Sequence, residues 1–241
     1  MSPSATATSG RANSAAMTKS SLVLYSLVVA AQPGPWESPV WQTQSKPTFP
    51  AHAWNMEDGA VHSIAGAPGV DISTAKNYRN FECEFEWKIA KGANSGVKYL
   101  VFGMRPNPRV GYIDPEVPKA LGFELQLIDG VNLQPSHGTG ALYLYQAPKN
   151  LPATPAGQWH RAKIVVNGRH IEHWINGVKV LAADLESAGL RAAMTAQARS
   201  DIPKPAHLYE LKNEKAKAYP IVLTHHGGDA WFRNIRIREL R

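Results

Sequence analysis

The residues best suited to chemistry lie on two segments in which polar and apolar side chains alternate. Glu124 and Gln126 alternate with apolar residues in the segment 123–128, and Lys98 does the same in the segment 96–102. Because successive residues of a strand point to opposite faces, we expect the three side chains to form a polar floor on one sheet face. Glu124 could act there as a general base or metal ligand, and Lys98 could polarise a carbonyl group. The alternative is an ordinary Lys–Glu cross-strand pair, which contributes little at a surface.

Histidines in two glycine-containing loops are the next candidates. His225 and His226 precede two glycines at the end of a predicted strand, and His137 lies in a Gly/Ser loop after Asp129. A neutral imidazole is a common general base and metal ligand. We therefore place His226 first among these candidates and His137 second, with a purely structural role as the alternative for each.

A tryptophan on a later predicted strand is a candidate for sugar binding. Trp174 shares a strand face with Glu172, and His173 lies on the opposite face. An indole ring exposed on a concave sheet can stack on a pyranose ring, and burial in the core is the alternative.

Three glutamates at a spacing of two residues admit a different chemistry. Glu82, Glu84 and Glu86 project from one face of the segment 81–89. Retaining glycanases of the laminarinase type place a nucleophile and an acid/base in an E-x-D-x-E pattern on one strand, with carboxylates about 5 Å apart. The middle residue here is Glu rather than Asp, and we favour an acidic face of an outer strand that is exposed to solvent.

Composition and missing motifs exclude several classes of protein. Of the 241 residues, 44% are hydrophobic and 19% are charged, which excludes wholesale disorder. The one cysteine, Cys83, excludes a disulfide framework and a cysteine-based zinc site. The net charge is +7 without a run of five like charges, so we expect no nucleic-acid partner. No phosphate-binding glycine loop, G-x-S-x-G elbow or H-E-x-x-H motif occurs.

The N-terminal residues 1–31 are predicted to lie outside the folded domain. Lys19, the short apolar run 22–31 and the small residues before Gln32 indicate a possible secretory signal peptide, with a first strand over 22–29 as the alternative. The run is too short to span a bilayer, so we expect no stable membrane insertion. A signal peptide would give a periplasmic or secreted location, and a cytoplasmic location is the alternative.

The remaining residues, 32–241, are predicted to form one all-β domain. Asp58-Gly59, Asn167-Gly168 and Asn176-Gly177 are hairpin signals between alternating segments. A helical insertion is expected near 185–217, with a helix over 185–199 and a second short helix or loop over 208–217. The pattern favours a two-sheet antiparallel β-sandwich of the jelly-roll type. Within the segment 96–102, alternation places Val97, Tyr99 and Val101 on one strand face. Strands are predicted at 54–57, 61–64, 81–89, 96–102, 123–128, 141–145, 159–166, 169–175, 178–181, 221–224 and 231–237.

Several segments in a fixed order resemble a known family. They are Asn94-Ser95-Gly96-Val97-Lys98-Tyr99, Gly122-Phe123-Glu124-Leu125-Gln126-Leu127-Ile128-Asp129, Pro155-Ala156-Gly157-Gln158-Trp159, Ile164-Val165-Val166-Asn167-Gly168, Ile171-Glu172-His173-Trp174-Ile175-Asn176-Gly177-Val178-Lys179-Val180, and His226-Gly227-Gly228 followed by Trp231-Phe232-Arg233-Asn234-Ile235-Arg236-Ile237. Together they resemble the 3-keto-disaccharide hydrolase domain family over about residues 40–241. That family has a fold similar to concanavalin A-like lectins and glucanases.

The resemblance implies cleavage of glycosides that carry a ketone at C3. Glu124 and His226 would then be base or metal ligand, and Lys98 or a divalent cation (Ca²⁺, Mg²⁺ or Mn²⁺) would stabilise the enolate. A sugar 3-dehydrogenase is the implied functional partner, and a non-catalytic carbohydrate-binding module is the alternative. We assign to substrate binding Gln126, Trp174, His137, Asp129 and His225.

Two positions depart from the family pattern. Members often have a second acidic residue where this chain has Gly130, and an aspartate where it has His225. If that aspartate helps to hold a metal, its replacement by His225 argues against a metal here.

Overall fold

The computed structural model describes residue 1 and residues 32–105, 119–130, 133–197, 202–208 and 217–240. The chain divides into two units, residues 1–30 and 31–241, and every described residue except Met1 lies in the second. The predicted signal peptide therefore lies outside the described residues. Among the described helices, none combines the length and apolar character needed to cross a bilayer.

Short antiparallel strands form two sheets in the described part of the chain. The five-stranded sheet has the order β1-β4-β11-β6-β7, and the seven-stranded sheet has the order β10-β9-β8-β5-β12-β3-β2. The fold is the predicted all-β sandwich. The strands are β1 (Trp41–Thr43), β2 (Trp54–Glu57), β3 (Ala60–Ser63), β4 (Ile72–Thr74), β5 (Phe81–Ile89), β6 (Asn94–Arg105), β7 (Lys119–Ile128), β8 (His160–Asn167), β9 (His170–Ile175), β10 (Val178–Asp184), β11 (Val222–His225) and β12 (Ala230–Glu239).

Alternation in the sequence gives the seven-stranded sheet a buried apolar face. In β5 every second residue is buried, from Phe81 to Ile89, and the intervening glutamates face outward. Phe232 of β12 is fully buried between Trp54 and Phe85, with ring centroids 6.5 and 6.0 Å away. Cys83 is buried in the same layer, and this burial raises the pKa of its thiol, so it is a core residue as expected.

Ion pairs with arginines cover the acidic outer face of β5. Arg233, Arg236 and Arg238 of β12 each donate to one of the three glutamates of β5, with nitrogen–oxygen distances of 2.6 to 2.7 Å. Arg233 and Arg236 are three residues apart and would point to opposite faces of a regular strand. A bulge at Asn234, which has a φ of 51°, returns Arg236 to the face of Arg233. These pairs favour the interpretation of Glu82, Glu84 and Glu86 as an outer face.

A second bulge, in β6, overturns part of the predicted alternation. Leu100 has a φ of 49°, and the β6–β7 register shifts between Tyr99 and Gly103. Leu100 joins the main core, whereas Val101 packs with Ala120 and Val222 in a separate cluster. The prediction that Val101 shares a face with Tyr99 was wrong, because the bulge shifts the faces locally. From Tyr99 to Gly103, β6 uses four residues against two of β7, and the predicted alternation is regained at Gly103.

Other differences from the predicted elements are local. Residues 141–145 form turns with isolated bridges at Leu142 instead of a strand. Helix α1 covers Ala188–Ala196, begins after the capping residue Ser187 and is shorter than predicted. A helical turn covers 205–208, and most of the predicted segment 208–217 lies outside the described residues. Strands β1 and β4, of three residues each, were not predicted because so short a segment carries little alternation.

Replacing Phe232 by alanine tests the packing of the buried inner face of the seven-stranded sheet. We expect Phe232→Ala to lower the free energy of unfolding by about 3–5 kcal/mol, because the cavity removes contacts with Trp54 and Phe85. Met56→Ala on β2 of the same sheet is the control, since Met56 is 64% exposed and its loss changes stability by about 0.5 kcal/mol at most. Urea titration measures both. A similar loss in the two variants would contradict this packing.

Candidate functional site

The predicted polar floor forms on the outer face of the five-stranded sheet. Lys98 of β6 is paired with Glu124 of β7, and Gly96 is paired with Gln126. On the other side of β6, Thr224 of β11 is opposite Gly96. Cross-strand partners share a face, so these side chains come together as the sequence indicated.

Glu124 occupies space that only a glycine at position 96 leaves open. A Cβ atom on residue 96 would lie 2.9 Å from Glu124 Cγ and closer still to Oε1. A glycine is therefore needed at position 96 to make room for the Glu124 side chain, and not because of a left-handed backbone angle.

The Glu124 carboxyl group is buried beside one hydroxyl and one ammonium group. It is 6% exposed, Thr224 Oγ1 donates to its Oε1 at 3.2 Å, and Lys98 Nζ lies 3.8 Å from its Oε2. Burial raises the pKa of Glu124, and the charge of Lys98 only partly opposes this effect. The ionised form is therefore a stronger base than an exposed carboxylate.

A buried ion pair of Asp71 and Lys119 lies next to the floor. Asp71 precedes β4, and its Oδ1 accepts hydrogen bonds from Lys119 Nζ and, at 3.0 Å, from the His225 backbone N–H. Lys119 Nζ is also 3.4 Å from the His225 carbonyl oxygen. Burial would raise the pKa of Asp71, but the charges of Lys119 and Lys98, with the hydrogen bond from Lys119, together outweigh this effect and the pKa is lowered. Asp71 is thus a carboxylate at neutral pH.

The Asp71–Lys119 contact requires the end of the β6–β7 hairpin that contains Lys119 to bend toward β4. Strands β4 and β7 are separated by β11 and β6, or about 14 Å in a flat sheet, which is farther than a lysine side chain reaches. The bulge at Leu100 supplies the bend. Val101 of β6, Ala120 of β7 and Val222 of β11 form one buried cluster on this part of the sheet.

The two adjacent histidines have different surroundings. His225 is fully buried on the core side, where its ring packs edge-on against Trp54 with centroids 5.6 Å apart, and burial lowers its pKa to about 4. His226 is exposed at the end of β11. Partial desolvation of its ring by the neighbouring protein atoms and the positive charge of Lys119 both lower its pKa. His226 is therefore a neutral imidazole at neutral pH, within electrostatic range of the floor.

Gln126 and His137 each contact a neighbouring polar or aromatic side chain near the polar floor. Gln126 Nε2 donates to Asn94 Oδ1 at 3.0 Å. The Tyr143 backbone N–H donates to the Glu124 carbonyl oxygen at 3.0 Å, which places Tyr143 opposite Glu124 on the floor's face. His137 packs edge-on against Tyr143, with ring centroids 5.4 Å apart.

Two predicted substrate-binding residues have contacts that hold them elsewhere. Asp129 Oδ2 accepts the Gly92 backbone N–H at 2.7 Å, which stabilises the turn before β6. Trp174 lies half-buried on the outer face of the seven-stranded sheet, where its Nε1 donates to Glu172 Oε2 at 2.8 Å. The outer faces of the two sheets point in opposite directions, so Trp174 is separated from the floor.

Among the described residues, the donor set around the floor does not fit a divalent cation. The described residues contain no group of three or more His, Cys, Asp or Glu side chains that could hold a metal ion. The two buried carboxylates are also next to lysines, Glu124 to Lys98 and Asp71 to Lys119. The predicted ligand pair, Glu124 and His226, lacks further donors among the described residues.

Sequence reasoning missed several residues of this site. Asp71, Lys119, Thr224 and Tyr143 carried no motif and lie on segments whose alternation is short or interrupted. For Gly96, its position two residues before Lys98, in a segment that resembles the family, was the one available signal, because the contact with Glu124 appears only in three dimensions.

Comparison with known families agrees with the geometry. The model of the 3-keto-alpha-glucoside-1,2-lyase-like domain matches residues 35–238. The chain belongs to this family. The matched range includes every residue of the floor, so the resemblance inferred from the sequence is confirmed.

Individual relatives extend the comparison. A protein of Bacteroides thetaiotaomicron named 3-keto-disaccharide hydrolase is 30% identical over 217 residues, which cover 83% of this chain and 74% of that protein. A candidate glycosyl hydrolase of Parabacteroides distasonis has a crystal structure with a TM-score of 0.62 at 24% identity, covering 83% of this chain and 88% of that one. A second structure from that organism has a TM-score of 0.59 at 24% identity, covering 83% and 100%. These structures support the sandwich fold.

Adding one methyl group at position 96 tests the close approach of Glu124. We expect Gly96→Ala to lower the free energy of unfolding by about 1–3 kcal/mol, because the buried carboxyl group must move. Gly189→Ala in α1 is the control, since a Cβ there meets nothing within 4 Å and alanine favours a helix. Chemical denaturation measures both. Equal stability of the two variants would show that Glu124 does not occupy this space.

A double-mutant cycle tests the buried ion pair. Asp71→Asn should cost about 3–5 kcal/mol because it leaves the Lys119 ammonium buried without a counter-charge. Asp71→Asn combined with Lys119→Met should recover much of this loss. A carboxyl group with a lowered pKa stabilises the fold above its unfolded pKa and loses that effect on acidification, so the cost of Asp71→Asn should shrink below about pH 4. Additive, pH-independent effects in urea titrations would contradict the pair.

Proposed function

We propose that this domain hydrolyses glycosides whose sugar ring carries a ketone at C3. The observation that carries the proposal is the buried Glu124 carboxyl group, with a raised pKa, beside the Lys98 ammonium group. Membership of the 3-keto-alpha-glucoside-1,2-lyase-like family and the name of the Bacteroides relative support the same substrate class.

The first step is removal of the proton at C2. A ketone at C3 acidifies this proton, and Glu124 as a carboxylate accepts it. The electron pair of the C2–H bond forms the C2–C3 double bond of an enolate. Lys98 stabilises the negative charge on the C3 oxygen, a role that needs a fixed cation in a site of limited solvation.

The second step breaks the glycosidic bond. The enolate electron pair returns to form a C1–C2 double bond and a C3 ketone, and the C1–oxygen bond leaves with its electrons. The proton now held by Glu124 passes to the departing oxygen, which becomes an alcohol. Glu124 is thereby restored as a carboxylate.

Water then adds to the unsaturated ketone. His226, a neutral imidazole, accepts a proton from water as the oxygen attacks C1. The electrons return to the enolate, and the imidazolium donates its proton to C2. The sum is one glycoside and one water converted to a free 3-keto sugar and an alcohol. An oxidation at C3 by a dehydrogenase must supply the substrate.

Paired substrates test this reaction directly. The full-length protein should release the aglycone from a glucoside oxidised at C3 and not from the same unoxidised glucoside. An EDTA arm measures any dependence on a divalent cation, and the lysine-paired floor predicts little effect. Saturable binding of either glycoside without any release would overturn the proposal in favour of a carbohydrate-binding module.

Substitution of Glu124 tests its role as the base. Glu124→Gln should reduce release by about 10²–10⁴-fold. In the unmodified protein kcat/KM should rise with pH through a midpoint above 4.5, since Glu124 must be ionised to accept the proton and its pKa is raised. The residual activity of Glu124→Gln should lack this rise.

Glu172→Gln is the matched control, because Glu172 lies on the outer face of the other sheet beside Lys179. It should keep both the rate and the pH profile. Full activity in Glu124→Gln, with correct folding, would remove Glu124 from the mechanism.

A further inference from the structure

A cavity lies apart from the polar floor, at the end of the sandwich where β5 begins. Its volume is about 310 Å³, which is in the range of small-molecule sites. The turn between β8 and β9, the residue Asn80 before β5, and Arg191 of α1 contribute to its walls. None of the polar floor residues lines it.

The apolar part of this cavity is made by three leucines. Its lining includes Leu100, Leu185 and Leu208, which are 6%, 7% and 6% exposed. Leu100 faces this space because its left-handed backbone interrupts β6. The buried leucines give the cavity an apolar base that water solvates poorly.

Basic side chains line the same cavity. Arg79, Arg169, Arg191 and Lys217 contribute to the wall, and Glu186 is the one acidic side chain among its described lining residues. Because Arg169 is paired with Glu186 and Asp184, the excess of positive charge around this small volume comes from Arg79 and Arg191. Such an excess attracts anions and is unfavourable while it stays uncompensated.

The nearby carboxylates are already engaged by one of these arginines. Arg169 contacts both Asp184 and Glu186, each at 3.0 Å. Within the described residues, Arg79 and Arg191 have no ion-pair partner. Two guanidinium groups are thus available on the rim of an apolar cavity, and guanidinium groups bind carboxylates and phosphates with two parallel hydrogen bonds.

We propose that this cavity is a binding site for a small organic anion, with an apolar body on the leucines and a carboxylate or phosphate group on Arg79 and Arg191. An apolar body and one anionic group match the two halves of the lining. This site is separate from the proposed hydrolysis and does not depend on it.

Calorimetric titration of the full-length protein with benzoate, phenyl phosphate and benzyl alcohol tests the proposal. Benzoate or phenyl phosphate should bind saturably, and the tighter of the two identifies the preferred acid. Benzyl alcohol, which has the same ring without a charge, should bind at least about tenfold more weakly. Equal binding of benzyl alcohol, or no saturable binding of either anion, would overturn the proposal.

Arginine variants locate the binding. Arg79→Gln combined with Arg191→Gln should weaken anion binding at least about tenfold, because both guanidinium groups are lost. Arg161→Gln is the matched control, since the Arg161 side chain is 82% exposed on the outer face of the seven-stranded sheet. Binding that is the same in the double variant and the control would place the anion elsewhere. Cleavage of the keto-glycoside should be unchanged in both variants, which separates this test from that of the hydrolysis.

Discussion

The buried ion pair between Asp71 and Lys119 is the constraint on which the shape of the site depends. A charge taken out of water is tolerated only when it is paired and hydrogen-bonded. Asp71 and Lys119 belong to strands separated by two others, so they meet only if the β6–β7 hairpin bends across the sheet. The bulge at Leu100 permits this bend, which brings Lys119 to Asp71 beside the polar floor.

The same burial accounts for the chemistry available to Glu124. Removal of the carboxyl group from water favours its protonated form, while Lys98 and Thr224 keep the ionised form accessible. One tuned carboxylate next to one cation suits removal of a proton beside a ketone. It differs from the two spaced carboxylates that ordinary glycosidases use on unoxidised sugars.

The two sheets divide their outer faces between different tasks. On the seven-stranded sheet, the glutamates of β5 are paired with arginines of β12, and Trp174 is covered by Lys163 at 4.4 Å from its ring centre. Charges that are paired in this way stabilise and solubilise a surface. On the five-stranded sheet, the polar side chains are buried and converge. This contrast in burial separates the proposed active face from the other one.

Local patterns in the sequence determined the fold class and the centre of the site. Alternation assigned Glu124, Gln126 and Lys98 to one face, and Asn-Gly pairs predicted the hairpins, because both signals depend on neighbouring residues alone. Tertiary structure decided what surrounds them: the space at Gly96, the Asp71–Lys119 pair, and the separation of Trp174 from the floor. The physical reason is that these features join strands distant in sequence. The bulge at Leu100 also changes the faces of Leu100 and Val101, and alternation alone carries no sign of where a bulge occurs.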